Sequence, residues 1–244
     1  RQILTPPSPD LITNNRAFHR LLTEGVDVEM ADSEEYGGTR TGKVWLFDLD
    51  DVKNNEFLAL NQFTVIEDKK NRRADVMVFV NGLPLGVLEL KNPGSENATI
   101  RHAFNQLQTY KGDIPSLFTC NEVLVISDGL QARMGTLSSG WDRFMPWRTV
   151  DGSSLAAKGT PELETLIRGV FEPGRFLDYL LNFIVFENDG AKFIKKAAAY
   201  HQYWAVNRAL SCTFSACGID TDAGRLIGRF PAFDANGKAA LGEK

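Results

Sequence analysis

The sequence predicts an α/β fold in which helices flank a mixed central sheet and a C-terminal helical segment follows. Three patterns predict it. Short runs of β-forming residues are interleaved with helical patterns up to residue 127, one run is apolar on both of its faces, and helical patterns predominate after residue 160. Because a strand without a polar face is typical of a sheet covered on both sides, the sheet should lie inside the domain.

The first half of the chain contains the expected sheet. Residues 75–81 and 85–91 are rich in β-forming residues and flank Gly82-Leu83-Pro84, which predicts a β-hairpin. Hydrophobic periodicity places the other elements. They are a helix over Leu11 to Thr23, strands near Lys43 to Asp48 and Gln62 to Ile66, an amphipathic helix over Thr99 to Lys111 and a buried strand over Glu122 to Ser127.

The second half is expected to be mainly helical. Gly129 to Gly159 is rich in Gly, Ser and Trp, which predicts a long surface excursion or short strands around Trp141 and Trp147. Thr160-Pro161 is a favourable helix start. Helices are expected near Pro161 to Val170, Gly174 to Phe186 and Ala191 to Leu210. We therefore divide the chain into a sheet domain over residues 1–150, a helical segment over 151–228, and a tail over 229–244 that is divergent or foreign to the natural protein.

Composition and charge limit the function classes. Of the 244 residues, 43% are apolar and 24% are charged, which argues against global disorder. The net charge of −4 is not typical of a freestanding DNA-binding protein, because a basic face normally supplies most of the nonspecific affinity for DNA. Any basic patch must be local. Lys69, Lys70, Arg72 and Arg73 are a candidate, either as a phosphate-facing loop or as a solvated turn.

Cysteine, histidine and hydropathy patterns exclude further classes. The three cysteines form no Cys-x-x-Cys unit, so neither a zinc site nor a disulfide framework is indicated, and their sparse count suits a reducing cytoplasm. The three histidines are scattered and are expected to be structural. The longest apolar stretch, Phe176 to Phe186, is too short to span a bilayer, so no membrane association is expected.

Three ionisable residues mark one end of the predicted hairpin. Asp75 opens its first strand, and Glu89-Leu90-Lys91 ends its second. Side chains alternate along a strand, so Glu89 and Lys91 share a face, and pairing across the turn brings Asp75 close to them. Two carboxylates with water and phosphate oxygens suit Mg²⁺, and a lysine can orient or deprotonate a water or offset developing charge. The pattern predicts metal-assisted phosphodiester hydrolysis.

A simpler interpretation of the same residues is a solvated ion pair. A Glu and a Lys two positions apart on a strand usually form such a pair at its exposed end, where it contributes little stability. The strand that carries Glu89 is apolar on both faces before that residue, which makes a solvated face less favourable.

Asp75 followed by Glu89-x-Lys91 resembles the PD-(D/E)xK nuclease motif, with Ala74 where that motif commonly has proline. Further motifs, in order, resemble the N-terminal part of the R (restriction) subunit of type I restriction-modification enzymes. They are Asn14-Asn15-Arg16-Ala17-Phe18-His19, Asn61-Gln62-Phe63-Thr64-Val65, Val80-Asn81-Gly82-Leu83-Pro84-Leu85, Glu89-Leu90-Lys91-Asn92-Pro93 and Tyr200-His201-Gln202-Tyr203.

The resemblance implies a restriction-endonuclease-like fold over residues 1–150 and roles for the hairpin residues. Asp75, Glu89 and the backbone carbonyl of Leu90 would hold Mg²⁺, and Lys91 would position water or stabilise charge. The implied reaction is cleavage of double-stranded DNA without sequence readout by this domain. The implied partners are the methyltransferase and specificity subunits, in the cytoplasm.

Two weaker site predictions depend mainly on the resemblance. Gln106 and Tyr110 are four residues apart on one helix face, which is usually only a surface pair. They match the Gln-x-x-x-Tyr helix of RecB-like nucleases, which implies a supporting or DNA-binding role. Gln202 matches a glutamine motif that reads adenine. ATP-driven translocation is implied for the complete subunit, whereas this fragment is not expected to hydrolyse ATP.

Two other functions remain open from the sequence. One is a noncatalytic docking or regulatory module for the other subunits. The other is a nucleotide-sensing segment organised around Gln202.

Overall fold

The computed structural model describes residues 7–31, 39–92, 94, 99–190, 192–218, 232–233 and 239–240. Its helices are α1 (Leu11–Glu24), α2 (Ile100–Asp113), α3 (Glu162–Val170), α4 (Pro173–Asn182) and α5 (Tyr200–Ala216). Its strands are β1 (Val26–Ala31), β2 (Thr39–Val44), β3 (Phe57–Glu67), β4 (Lys70–Val80), β5 (Leu83–Leu90), β6 (Val123–Ser127), β7 (Ala132–Gly135), β8 (Ile184–Asn188), β9 (Phe193–Ala197), β10 (Ala232–Phe233) and β11 (Ala239–Ala240).

A five-stranded sheet in the order β3-β4-β5-β6-β7 forms the centre of the fold. β5 and β6 are parallel, and the other neighbours are antiparallel. β5 is therefore the middle strand of a mixed sheet, and the predicted fold class is confirmed. In the part of the chain that the structure describes, three two-stranded sheets accompany it, formed by β1 with β2, β8 with β9, and β10 with β11.

Hydrophobic cores cover both faces of this sheet. The first core joins Leu88 of β5 to Phe18 of α1 and to residues of α3, α4 and α5. The second core joins Val87 of β5 to Leu107 and other residues of α2. Neighbouring residues of β5 thus enter opposite cores, as the alternation of side chains along a strand requires. The prediction of a central strand covered on both faces is confirmed.

The β4–β5 hairpin turns at Asn81 and Gly82. Their φ angles of 50° and 77° are both left-handed, which is the two-residue turn geometry that matches the twist of paired strands. The predicted hairpin is confirmed, although its turn ends before Leu83. An extra residue, Leu85, lies between the pairs Phe79–Pro84 and Val78–Gly86, and this bulge adjusts the register towards the end of β5.

Two predicted strands have different bounds. The strand predicted near Lys43 to Asp48 is wrong beyond Val44, where β2 ends. Asp48 instead accepts the N–H groups of Asp50 and Asp51 through its carboxylate, and such local bonds favour a turn over a strand. The strand predicted over Gln62 to Ile66 is a central part of the longer β3.

The helices predicted over Gly174 to Phe186 and Ala191 to Leu210 are partly wrong. α4 ends at Asn182, and α5 begins only at Tyr200. Between them, β8 and β9 form an antiparallel hairpin, in which Asp189 donates its N–H to the carbonyl of Lys192. The dipeptide Asp189-Gly190, between two runs of β-forming residues, is a hairpin signal that the helical interpretation missed. Residue 191 lies outside the described residues.

The segment from Gly129 to Gly159 is not simply a surface excursion. It contains β7 and an isolated bridge between Met134 and Met145. Trp147 is only 2% exposed and packs against the rings of Tyr179 and Tyr203 in the first core. The segment therefore contributes one of the largest core side chains.

The limits of the three predicted regions, at residues 150 and 228, stay predictions. Most of the tail over 229–244 lies outside the described residues. None of the helices described is both long and apolar enough to cross a membrane.

Candidate active site

Asp75 lies where the pairing of β4 with β5 ends. The last pair of the ladder is Val76 with Leu88. Beyond it, the backbone N–H of Leu90 donates to Asp75 Oδ2 at 2.8 Å, and Gln62 Nε2 on β3 donates to Asp75 Oδ1 at 3.2 Å. The carboxylate is thus held from both neighbouring strands.

Glu89 is a buried carboxylate at the end of β5. Its side chain is 0% exposed, and its Oε1 accepts a hydrogen bond from Lys91 Nζ at 2.6 Å. Glu89 Oε2 has no hydrogen-bond partner among the described residues. Burial raises the pKa of Glu89 to about 7, with a smaller opposing effect from Lys91 and a further increase from the neighbouring Asp75. The structure therefore brings both predicted carboxylates and the lysine together.

Lys91 begins a directed chain of hydrogen bonds that runs onto α2. Its ammonium donates to Gln106 Oε1 at 2.5 Å, Gln106 Nε2 donates to the Tyr110 hydroxyl at 2.5 Å, and that hydroxyl donates to the carbonyl of Arg73 at 2.9 Å. Burial also raises the pKa of Tyr110. An ammonium has three donors, and Glu89 and Gln106 account for two. The chain fixes the lysine while leaving it capacity for one further partner.

The backbone carbonyl of Leu90 is a third oxygen near the two carboxylates. The backbone N–H of Lys91 donates to the carbonyl of Ser127 on β6 at 2.8 Å, so the backbone polar groups of Lys91 face β6. Backbone direction alternates along a strand, and the N–H and C=O of one residue point to the same side. Since the Leu90 N–H meets Asp75, the Leu90 carbonyl also faces the Asp75 side of β5.

These residues fit a hard divalent cation. Asp75, Glu89 and the Leu90 carbonyl supply only oxygen atoms, and one buried Glu89 oxygen lacks a partner in the described structure. Within the described ranges, no cluster of three or more His, Cys, Asp and Glu side chains could hold a metal ion. A cation here would therefore depend on two carboxylates, a carbonyl, water and substrate, which is the ligand set that Mg²⁺ favours.

The other predicted residues lie elsewhere. Gln202 is in the first turn of α5, where its Oε1 accepts the N–H of Ala199 at 2.8 Å. α5 packs into the first core, on the opposite face of the sheet from α2, so Gln202 is not part of this constellation. In the basic run, Lys70 and Arg72 both pair with Asp113. A nucleotide-binding role for Gln202 stays a prediction.

A second polar cluster, which we call the buried cluster, lies before β6 at the opposite end of the parallel pair. Lys195 Nζ bonds Glu122 Oε2 at 2.7 Å, Asn15 Oδ1 at 2.9 Å and the carbonyl of Asn121 at 2.9 Å. His19 Nδ1 lies 3.0 Å from the same Glu122 oxygen. Burial lowers the pKa of Lys195. The expectation that His19 is structural agrees with this placement.

Comparison with known proteins identifies the family. The sequence profile described as Type I restriction enzyme R protein N terminus matches residues 1–143. The chain belongs to this family. It is 42% identical over 234 residues to the type I restriction enzyme HindI endonuclease subunit of Haemophilus influenzae, which covers 94% of this chain and 22% of that protein. It is 34% identical over 241 residues to the putative MjaIXP endonuclease subunit of Methanocaldococcus jannaschii, which covers 91% and 22%.

A third relative, the EcoprrI endonuclease subunit of Escherichia coli, is 26% identical over 185 residues, or 70% of this chain and 56% of that protein. The R-subunit chain spans only 22% of the length of the Haemophilus and Methanocaldococcus relatives. The predicted resemblance to an N-terminal R-subunit fragment is confirmed.

Sequence reasoning about this R-subunit fragment missed two contacts. The sequence predicts Gln62 as the first residue of a strand, whereas it lies within β3 and bonds Asp75. The polar pair Asn61-Gln62 inside an otherwise apolar run was the available signal. The predicted helix near Ala191 to Leu210 includes Lys195, and nothing in the sequence around Lys195 indicates contact with Glu122, 73 positions earlier.

Proposed function

We propose that this chain is the nuclease domain of a type I restriction R subunit and cleaves double-stranded DNA by Mg²⁺-dependent phosphodiester hydrolysis. The observation that carries the proposal is the pairing of two carboxylates, Asp75 and Glu89, with a single lysine at one sheet edge. Among the described residues, two carboxylates share this site with one ammonium, and Glu89 is fully buried, which is costly for its charged form unless a cation is bound there.

Asp75, Glu89 and the Leu90 carbonyl would hold the metal. When bound, Mg²⁺ supplies Lewis-acid stabilisation to a phosphoryl oxygen. Because the pKa of Glu89 is raised to about 7, this carboxyl is partly protonated at neutral pH, and it must lose that proton to act as a metal ligand.

Lys91 would act on the reacting phosphate or on the water that attacks it. The Gln106–Tyr110–Arg73 hydrogen bonds set the position of its ammonium, which also donates to Glu89 Oε1. A positioned cation of this kind stabilises the negative charge that develops on the phosphoryl group. Gln106 and Tyr110 therefore position Lys91 in this proposal.

The remaining parts of the proposal concern the whole enzyme. The net charge of −4 favours a domain that receives DNA from partners, the methyltransferase and specificity subunits, and reads no sequence itself. Cleavage would be coupled to ATP-driven translocation in the complete R subunit. Cys120, Cys212 and Cys217 are free thiols, which suits the reducing cytoplasm we propose as its location.

Substitution of Lys91 tests this function. In the complete R subunit assembled with its partner subunits, we expect Lys91→Ala to abolish DNA cleavage, a loss of at least about 10²-fold, because a preorganised charge at the reacting phosphate is removed. DNA-dependent ATP hydrolysis should persist and report correct assembly. Lys43→Ala is the matched control, because Lys43 forms an exposed ion pair with Asp27 outside the site. Normal cleavage by a folded, assembled Lys91→Ala enzyme would contradict the proposal.

A further inference from the structure

The ladder between β3 and β4 is interrupted at Gln62 and Asp75. Gln62 has a φ of 55°, although it lies within the eleven-residue strand β3. Residues of a strand have negative φ, and left-handed φ is unfavourable for a residue with a side chain. The β3–β4 ladder pairs Asn61 with Val76 and Phe63 with Ala74, and the Gln62–Asp75 position between them is not paired.

The irregularity changes which face of the sheet the side chains occupy. In β4, Val76 and Val78 pack against the first core, whereas Ala74 lies in the second core, although residues two apart normally share a face. In β3, Phe57 packs against the first core and Phe63 against the second, although both positions are odd. The alternation therefore breaks at Asp75 in β4 and between Phe57 and Phe63 in β3, where Gln62 has the left-handed φ.

At this break in the ladder, the side chains of Gln62 and Asp75 form a hydrogen bond. Gln62 Nε2 donates to Asp75 Oδ1 at 3.2 Å, while Leu90 N–H holds Asp75 Oδ2 at 2.8 Å. Gln62 is exposed and lies on β3, the strand at the edge of the sheet. The Asp75 carboxylate is thus clamped by a rigid backbone donor on one oxygen and by a side-chain donor from a strained residue on the other.

We propose that Gln62 is a positioning residue that orients the Asp75 carboxylate for metal binding. The inference rests on the proposed nuclease function and adds a residue outside the Asp75, Glu89 and Lys91 motif. Hydrogen bonds to a metal-binding carboxylate fix its orientation and typically change metal affinity about 10-fold to 100-fold when they are removed. The amide is neutral, so it holds Asp75 without supplying a competing charge. The strain at Gln62 persists because its side chain must reach Asp75 at this break in the ladder.

Two substitutions separate the amide from the backbone strain. Gln62→Gly removes the amide and relieves the left-handed strain, because glycine adopts positive φ at little cost. Gln62→Met removes the amide, keeps a side chain of similar length and retains the strain. Asp68→Gly is the matched control, because Asp68 has a left-handed φ of 44° in the β3–β4 turn and no assigned role in the site.

The measurement is calorimetric Mn²⁺ binding by the complete R subunit without nucleotide, with Asp75→Ala as the reference for loss of the site. We expect Gln62→Gly and Gln62→Met to weaken Mn²⁺ binding by about 10-fold to 100-fold, and Asp68→Gly to bind like the natural protein. Gln62→Gly should melt at the same temperature as the natural protein or higher. Cleavage by the assembled enzyme is then measured at a fixed Mg·ATP concentration. The concentration of free Mg²⁺ required for half-maximal cleavage should rise by a similar factor in both Gln62 variants.

Each outcome is decisive. Unchanged Mn²⁺ binding by either folded Gln62 variant, beside loss of binding in Asp75→Ala, would overturn the role of Gln62 and leave the nuclease function intact. If Gln62→Gly fails to fold, Gln62→Met decides the question. If Asp75→Ala binds Mn²⁺ with the affinity of the natural protein, that result would instead contradict the proposed metal site itself. Reduced cleavage by the Gln62 variants with unchanged metal dependence would also overturn the proposal.

Discussion

The two ends of the parallel β5–β6 pair carry similar polar residues, for which we propose a catalytic role at one end and a structural role at the other. At one end, Glu89 and Lys91 are joined at 2.6 Å, and at the other, Glu122 and Lys195 are joined at 2.7 Å. Both glutamates are fully buried, and each has one carboxylate oxygen without a partner among the described residues. A buried Glu–Lys pair with an unsatisfied oxygen is therefore not enough to indicate a catalytic site.

Charge balance and access distinguish the two ends. Glu89 has a second carboxylate, Asp75, beside it, whereas Glu122 has His19. The Lys91 side chain is 18% exposed and uses two donors within the site, whereas Lys195 is 0% exposed and bonds three acceptors. Two neighbouring carboxylates favour a bound cation, and a partly exposed lysine with a free donor can contact a substrate phosphate. A fully buried lysine that already bonds three acceptors favours a structural role.

The largest expected effects come from removing the lysine at each end. Lys195→Met should lower the free energy of unfolding by about 3–5 kcal/mol, because the buried Glu122 carboxylate loses its ammonium partner. Lys91→Met should change the free energy of unfolding far less, yet eliminate cleavage. Denaturant unfolding and cleavage assays on both variants measure the contrast.

A partial recovery of stability in the double variant Lys195→Met with Glu122→Gln would show that the buried charge of Glu122 causes the loss of stability. Equal destabilisation by Lys91→Met and Lys195→Met would contradict the distinction between the ends.

The pH dependence of stability gives a smaller, sign-specific test at Glu89. Its folded pKa of about 7 lies above the ordinary value of 4.5, so the native state binds more protons than the unfolded state between these values. Stability from this group is therefore present at low pH and is lost as pH rises through 7. Without divalent metal, Glu89→Gln should gain about 1–3 kcal/mol over the natural protein at pH 8, since a tenfold change in proton affinity corresponds to about 1.4 kcal/mol.

The gain should vanish near pH 5, where Glu89 is protonated in the native state. Unfolding curves at pH 5 and pH 8 measure it. Addition of Mn²⁺ at pH 8 should stabilise the natural protein and not Glu89→Gln, because only a metal-binding native state is favoured by mass action. A gain that is the same at both pH values would count against a raised pKa at Glu89.

The smallest effect is expected at the far end of the hydrogen-bond chain. Tyr110→Phe removes the hydroxyl that joins Gln106 to the Arg73 carbonyl, and should cost about 0.5–1.5 kcal/mol in stability. Cleavage should fall by less than in Lys91→Ala, since Gln106 still contacts Lys91. Steady-state cleavage rates of the two variants provide the comparison. A loss as complete as that of Lys91→Ala would require a direct role for Tyr110 in the reaction.

The same contrast explains what could be predicted from sequence. The candidate active site depends on short-range patterns: Glu89 and Lys91 follow strand alternation, Asp75 follows hairpin pairing, and Gln106 and Tyr110 follow helical spacing. The buried cluster joins α1, the segment before β6, and β9, so its contacts depend on tertiary packing that short-range patterns do not encode. Gln62 is intermediate in how far it can be predicted from the sequence. Its motif is visible there, but the break in alternation becomes visible only when both cores are known.

The most direct test of the account is the position of a bound divalent cation. Anomalous diffraction from crystals of the complete R subunit soaked in Mn²⁺ should show a peak in contact with the Asp75 and Glu89 carboxylates and the Leu90 carbonyl. No peak should lie beside Glu122. A peak at Glu122, or an edge without bound Mn²⁺ at saturating concentration, would contradict the claim that excess charge and access make the Asp75–Glu89–Lys91 edge the metal-dependent nuclease site.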